Sequence, residues 1–131
     1  MTNKKEWIAL AKQAMDRAYV PYSSFPVGAC LVGENNKLYL GVNVENVSIG
    51  LTNCAERTAI FKAVADGTRS FQHLVVVGNT EDPIAPCGAC RQVLVEFCDP
   101  DLPVTLVSAI TDECLETTLG ALMPYAFLDQ A

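Results

Sequence analysis

The chain has 131 residues, half of them hydrophobic, and its nine basic and fifteen acidic residues give a formal net charge of −6. This length and apolar content fit one domain with a real core and exclude a disordered tail. The acidic balance, with no basic stripe, argues against a polynucleotide partner, and the lack of any run of about 18 apolar residues excludes a helical membrane span.

Asn3 and Glu6 form a capping-box pattern, and Ile8, Ala11, Met15, Ala18 and Tyr19 recur at helical spacing. They predict a first helix that stops near Pro21, because proline disfavours helical geometry in the residue before it. Phe25 to Val32 and Leu38 to Val44 read as an antiparallel hairpin turned by residues 33–37. A second helix is expected from about Cys54 to Asp66, with Gly67 just past its end. Leu74 to Val77 is a continuous apolar run, the pattern of a central strand covered on both faces. A third helix should run from Cys87 to about Cys98. Val104 to Val107 and Cys114 to Thr118 follow as strands, too close in sequence for a parallel crossover and so expected to pair antiparallel. A last short helix is expected over Thr118 to Met123. The fold class is therefore α/β: a five-stranded mixed sheet with helices on both faces, in a single domain spanning residues 1–131.

Six cysteines permit three disulfides. However, the first residues, Met1 to Trp7, lack the apolar stretch and cleavage site of a secretory leader. A cytoplasmic, reducing setting is the expectation, and there cysteines serve as metal ligands or small core residues.

Two segments carry the chemistry: Cys54-Ala55-Glu56 and Pro86-Cys87-Gly88-Ala89-Cys90. Together they offer three thiols and one carboxyl. Structural zinc sites are closed by four protein ligands, whereas catalytic ones use three and leave a position for water. The two segments together resemble the signature of zinc nucleobase deaminases, which implies Cys54, Cys87 and Cys90 as zinc ligands and Glu56 as general acid/base. Each thiol lies near a helix N-terminus, whose free N–H groups favour thiolate. Three thiolates would leave zinc with a net charge of −1, and Arg57 is placed to draw off part of it by hydrogen bonding to sulfur.

Simpler readings exist for each part. Asn53 to Glu56 is also a capping-box pattern, and Cys87-x-x-Cys90 alone is compatible with a redox pair. Cys30, Cys98, Cys114 and His73 have no metal-ligand spacing to one another. The three cysteines read as core residues, and His73 as a surface or strand-edge residue. Tyr39 and Phe61 read as core aromatics. Arg17, Arg69 and Arg91 have no evident partner.

Several blocks in register resemble the small cytidine deaminases that act on free nucleosides. They are residues 18–29 (Ala18-Tyr19-Val20-Pro21-Tyr22-Ser23-Ser24-Phe25-Pro26-Val27-Gly28-Ala29), Asn43-Val44-Glu45-Asn46, Cys54 to Ala59, Pro86 to Val93, and Leu122-Met123-Pro124 before Phe127. The resemblance implies a three-layer α/β/α cytidine-deaminase-like fold with one Zn²⁺ per subunit. It also implies hydrolysis of cytidine and 2′-deoxycytidine to uridine and 2′-deoxyuridine, with release of ammonia, in pyrimidine salvage. By the same resemblance Asn43 and Glu45 hold the sugar, Phe25 packs near the pyrimidine, and the backbone around Ala55 and Pro86 reads the base edge. The assembly implied is a homotetramer in which Phe127 stacks over the base in a neighbouring site. A carboxylate at Glu45 would repel a phosphate, which favours nucleosides over nucleotides. Relatives usually carry a tyrosine shortly after the Asn-x-Glu-Asn block, where this chain has Ile49. The rival expectations are a deaminase of another cytosine-containing nucleoside or antibiotic, and a non-catalytic zinc-stabilised interaction module.

Overall fold

The computed structural model describes residues 3–129; the expected single domain includes residues 1, 2, 130 and 131, which lie outside them. The elements run α1 (Lys4–Met15), β1 (Val27–Gly33), β2 (Leu38–Val42), α2 (Ala55–Ala65), β3 (Phe71–Gly78), α3 (Gly88–Phe97), β4 (Pro103–Ser108), β5 (Cys114–Thr118) and α4 (Leu119–Leu122), with a 3-10 turn at Ile49–Leu51. The strands form one mixed sheet in the order β2-β1-β3-β4-β5. β1 pairs antiparallel with β2 and β3, β3 pairs parallel with β4, and β4 pairs antiparallel with β5.

Strand alternation splits the core in two. Ala29, Leu31, Leu74, Val76, Val104 and Leu106 point to the face covered by Ala55, Ala59, Ile60 and Ala63 of α2, Leu94 of α3 and Leu119 of α4. Cys30, Val32, Val75, Val77 and Val107 point to the opposite face, where Trp7 and Ala11 of α1 cover them. Helices therefore flank the sheet on both sides. Two glycines allow this close stacking. A Cβ on Gly41 would come within 2.2 Å of the Ala55 carbonyl oxygen, and one on Gly28 within 2.1 Å of that of Ala11.

The first helix ends earlier than its apolar spacing predicts. Asn3 does cap it, accepting from the Glu6 N–H at 3.0 Å, but the helix stops at Met15. Beyond it the chain turns extended, because the Tyr19 N–H donates to the Asn43 carbonyl and the Glu45 N–H to the Tyr19 carbonyl. The segment thus lengthens the ladder beyond β2 instead of continuing the helix. His73 is likewise not at an edge. It lies half-buried in β3, with its ring 5.0 Å from that of Trp7 and Nε2 2.7 Å from Thr105 Oγ1. Tyr39 is buried, its hydroxyl 2.6 Å from both Asp66 Oδ2 and Thr68 Oγ1, but Phe61 is about half exposed. Phe61 falls off the inward stripe of α2, which is Ala55, Glu56, Ala59, Ile60 and Ala63.

Candidate active site

The connections that lead into α2 and α3 place two thiols at helix starts. Cys54 is the N-cap of α2 and Cys87 that of α3, both with extended backbone, and neither side chain accepts a capping hydrogen bond. Asn53 does not cap α2, as the capping-box reading would have it; its amide donates to Thr58 Oγ1. Cys90, one helical turn after Cys87, is buried in α3. The three ligand sulfurs lie within 4.8 Å of one another, with 3.8 Å between Cys54 and Cys87 and 3.5 Å between Cys87 and Cys90.

This triangle matches a zinc ion. Sulfurs at the usual ~2.3 Å from a tetrahedral zinc lie about 3.8 Å apart, and thiolates suit that metal. Among the described residues this is the one grouping of three such ligands. All six cysteines are free thiols, so no disulfide competes for them.

The electrostatics favour thiolate at the cap. Hydrogen bonding with Cys90 pulls the Cys54 thiol down to about 5 against the opposing effect of burial, and Arg57 adds to the lowering. Cys90 shifts upward because it shares a proton with Cys54 and is buried. Arg57 Nη2 donates to Cys54 Sγ at 3.2 Å, the contact its position suggested. Its Nε is buried without a hydrogen-bond partner.

Glu56 follows on the inward face of α2, only 5% exposed. Burial, helped by the charge of Cys54 and opposed by a backbone hydrogen bond and Arg57, pushes its carboxyl up to about 7. A carboxyl so placed exchanges protons near neutral pH.

Asn43 and Glu45 are first of all braces. Asn43 accepts from the Val27 N–H at 2.9 Å and donates to the Phe25 carbonyl at 2.8 Å. Glu45 accepts from the Tyr22 and Ser23 N–H groups at 3.0 and 3.1 Å and from the Ser23 hydroxyl. These bonds, the Ser23 hydroxyl first, hold its carboxyl below the usual range. Together the two side chains fix residues 22–27, which carry Phe25. A hollow of about 450 Å³ brings Glu45, Ile49, Cys54 and Arg57 together with Tyr22, Ser23, Asn46 and Thr52. The last four were not singled out from sequence, although three of them belong to the matching blocks. Ala55 is buried at the start of α2, and Phe127 is 83% exposed beyond α4. His73, Cys30, Cys98 and Cys114 stay outside the cluster.

The family model for the cytidine and deoxycytidylate deaminase zinc-binding region matches residues 1–106. The chain is 55% identical over 120 residues to a cytidine deaminase of Sporosarcina psychrophila, covering 92% of this chain and 88% of that one. It is 49% identical over 117 residues to one from Halalkalibacterium halodurans, covering 89% and 88%. A crystal structure of cytidine deaminase from Burkholderia pseudomallei superimposes with a TM-score of 0.92 at 50% identity, over 96% of this chain and all of that one.

Proposed function

We propose, from the premise that the chain belongs to the cytidine and deoxycytidylate deaminase zinc-binding family, that it converts cytidine and 2′-deoxycytidine, with water, to uridine and 2′-deoxyuridine and ammonia. The observation that carries this reading is the triangle of Cys54, Cys87 and Cys90 sulfurs beside the buried carboxyl of Glu56.

Cys54, Cys87 and Cys90 hold one zinc ion per subunit, which when bound acidifies water toward neutral pH. Glu56 does the proton work. Its carboxylate takes one proton from the attacking water and delivers it to ring N3. It then takes the remaining hydroxyl proton and delivers it to the amine, so that C4=O forms as the C4–N bond breaks and ammonia leaves. A carboxyl poised near 7 can both accept and give that proton. Arg57 stays cationic against Cys54 and offsets the thiolate charge.

Glu45 and Asn43 set the sugar pocket, through their remaining hydrogen-bonding capacity and through the loop they brace. The Glu45 charge disfavours a phosphate on the substrate. Phe25 packs near the pyrimidine, and the backbone at Ala55 and Pro86 meets the base edge. Phe127 serves a neighbouring subunit's site in a homotetramer, a reading supported by its exposed ring and by the exposed apolar Val47, Ile49 and Leu51. One catalytic domain spanning residues 1–131, working in the cytoplasm in pyrimidine salvage, completes the reading. Among the described residues no helix is long and apolar enough to cross a membrane.

A spectrophotometric panel of cytidine, deoxycytidine, cytosine, deoxycytidine monophosphate and adenosine tests it. Turnover of the first two alone is the expected result. Preference for the monophosphate would remove the role given to Glu45, and inertness toward all five would overturn the deaminase reading.

A further inference from the structure

Arg91 had no partner legible in the sequence, and the structure gives it two. Its Nε donates to the Pro86 carbonyl at 2.7 Å and its Nη1 to the Leu122 carbonyl at 2.6 Å. Pro86 is buried and directly precedes Cys87, so its carbonyl oxygen needs an internal donor. Leu122 is the last residue of α4, where helical carbonyls lack intrahelical partners. One planar guanidinium spans both, with donor directions fixed by the fork. The next residue continues the pattern: Gln92 Nε2 donates to the Phe127 carbonyl at 2.9 Å. The segment between these contacts includes Tyr125, fully exposed and left-handed at φ 54°, and then exposed Phe127.

We propose that Arg91 is a positioning residue that couples the Cys87 loop to the C-terminal segment, so that the placement of Phe127 is set by the first turns of α3. The α3 backbone places Cys87 and Cys90, while the Arg91 and Gln92 side chains hold residues 122 and 127. The loop that presents thiols and the segment that presents an aromatic ring thus share one rigid support. The kinetic consequence rests on the deaminase reading above, in which Phe127 contacts the base; the structural coupling does not.

The test uses R91K, R91A and Q92A in the zinc-loaded full chain. Lysine keeps the charge but cannot serve both carbonyls in a fixed fork. Hydrogen exchange of amides 123–129 should speed up about tenfold in R91K, as expected when a tether to a terminal segment is lost. Zinc stoichiometry should stay at the wild-type value. KM for cytidine should rise on the order of tenfold with kcat little changed, the cost of a misplaced binding group. In the F127A background, R91K should raise KM by clearly less, the remainder passing through the Pro86 carbonyl, and Q92A, which holds only the Phe127 carbonyl, should raise it no further. If R91A fails to fold, R91K and Q92A decide the matter. Unchanged exchange in R91K overturns the coupling. An equal KM rise in the F127A background shows that Arg91 does not act through Phe127 and overturns that part. Faster exchange in a chain whose wild type ignores cytidine would support the coupling while counting against the deaminase reading.

Discussion

Glu56 and Arg57 are adjacent in sequence and opposite in task. Glu56 is buried within reach of the Cys54 charge, whereas Arg57 donates to the Cys54 sulfur. Replacing Glu56 with Gln removes a proton carrier and keeps the shape, so E56Q should retain zinc and lose at least ~10²-fold in kcat. Metal analysis beside steady-state rates checks this, and near-normal turnover would refute the role. R57A should leave a more negative zinc site and cost about 10–100-fold in zinc affinity, measured by competition with a chromogenic chelator. Zinc content and turnover both at wild-type level would show that the arginine–sulfur contact is idle. At this scale the sequence was legible for side chains that meet side chains. The three thiols, the carboxyl and the guanidinium stand in two short motifs, whose roles came from thiol count together with their resemblance to a zinc-deaminase signature. The role of Arg91 did not, because its partners are carbonyl oxygens, which carry no residue identity. Asn43 and Glu45 were read for what they offer a ligand, and their backbone partners at residues 22–27 were hidden for the same reason.

Elements place these residues, and two positions between helix and sheet expose how. G41A would drive a methyl into the Ala55 carbonyl and to within 2.7 Å of the Ala59 N–H. Overpacking of that kind costs about 1–3 kcal/mol. Because the obstacle lies at the start of α2, G41A should lower the thermal midpoint by several degrees and also reduce turnover through displaced Cys54 and Glu56. A variant with full activity and unchanged melting would show that α2 can retreat without consequence. On the other face, burial lowers the pKa of His73 from its ordinary 6.5, with Glu116 of β5 opposing and Lys4 of α1 assisting. The unfolded chain then takes up the proton first as pH falls. Stability is complete above about 6.5 and declines as pH drops through the lower folded value. Glu56, raised to about 7, contributes with the opposite sign over the same range, so the His73 part is read as a difference. Urea midpoints should fall more, or rise less, from pH 7.5 to 5 in the wild type than in H73Q, and equal slopes would assign the effect elsewhere. The strands were legible because apolar runs and the short spacing from β4 to β5 constrain pairing. The end of α1 was not. Ala18 and Tyr19 keep helical spacing, but main-chain bonds to residues 43 and 45 win over that local preference.

For the whole molecule, the three layers leave the apolar segment Val47, Ile49 and Leu51 uncovered at 71–85% exposure, together with half-exposed Tyr19 and Tyr22. A patch of this kind on an acidic chain is expected to be covered by another copy in the proposed tetramer. I49D should therefore shift the species seen by sedimentation toward smaller assemblies, with zinc retained. An unchanged distribution would place the subunit contact on another surface. The layered architecture was readable in advance from the alternation of elements, whereas the assembly came only through family resemblance, since one chain's pattern does not say what covers its outer faces.

The thiols at the starts of α2 and α3 occupy positions where serine or aspartate would ordinarily close a helix, and they make no such closure themselves. Stripping the ion would consequently do more than silence turnover. It would leave the accessible Cys54 and Cys87 sulfurs, 3.8 Å apart, open to air oxidation and two helix openings free to unravel together. A purification that includes a strong sequestering agent should yield material that ages quickly, and late resupply of zinc would not restore it.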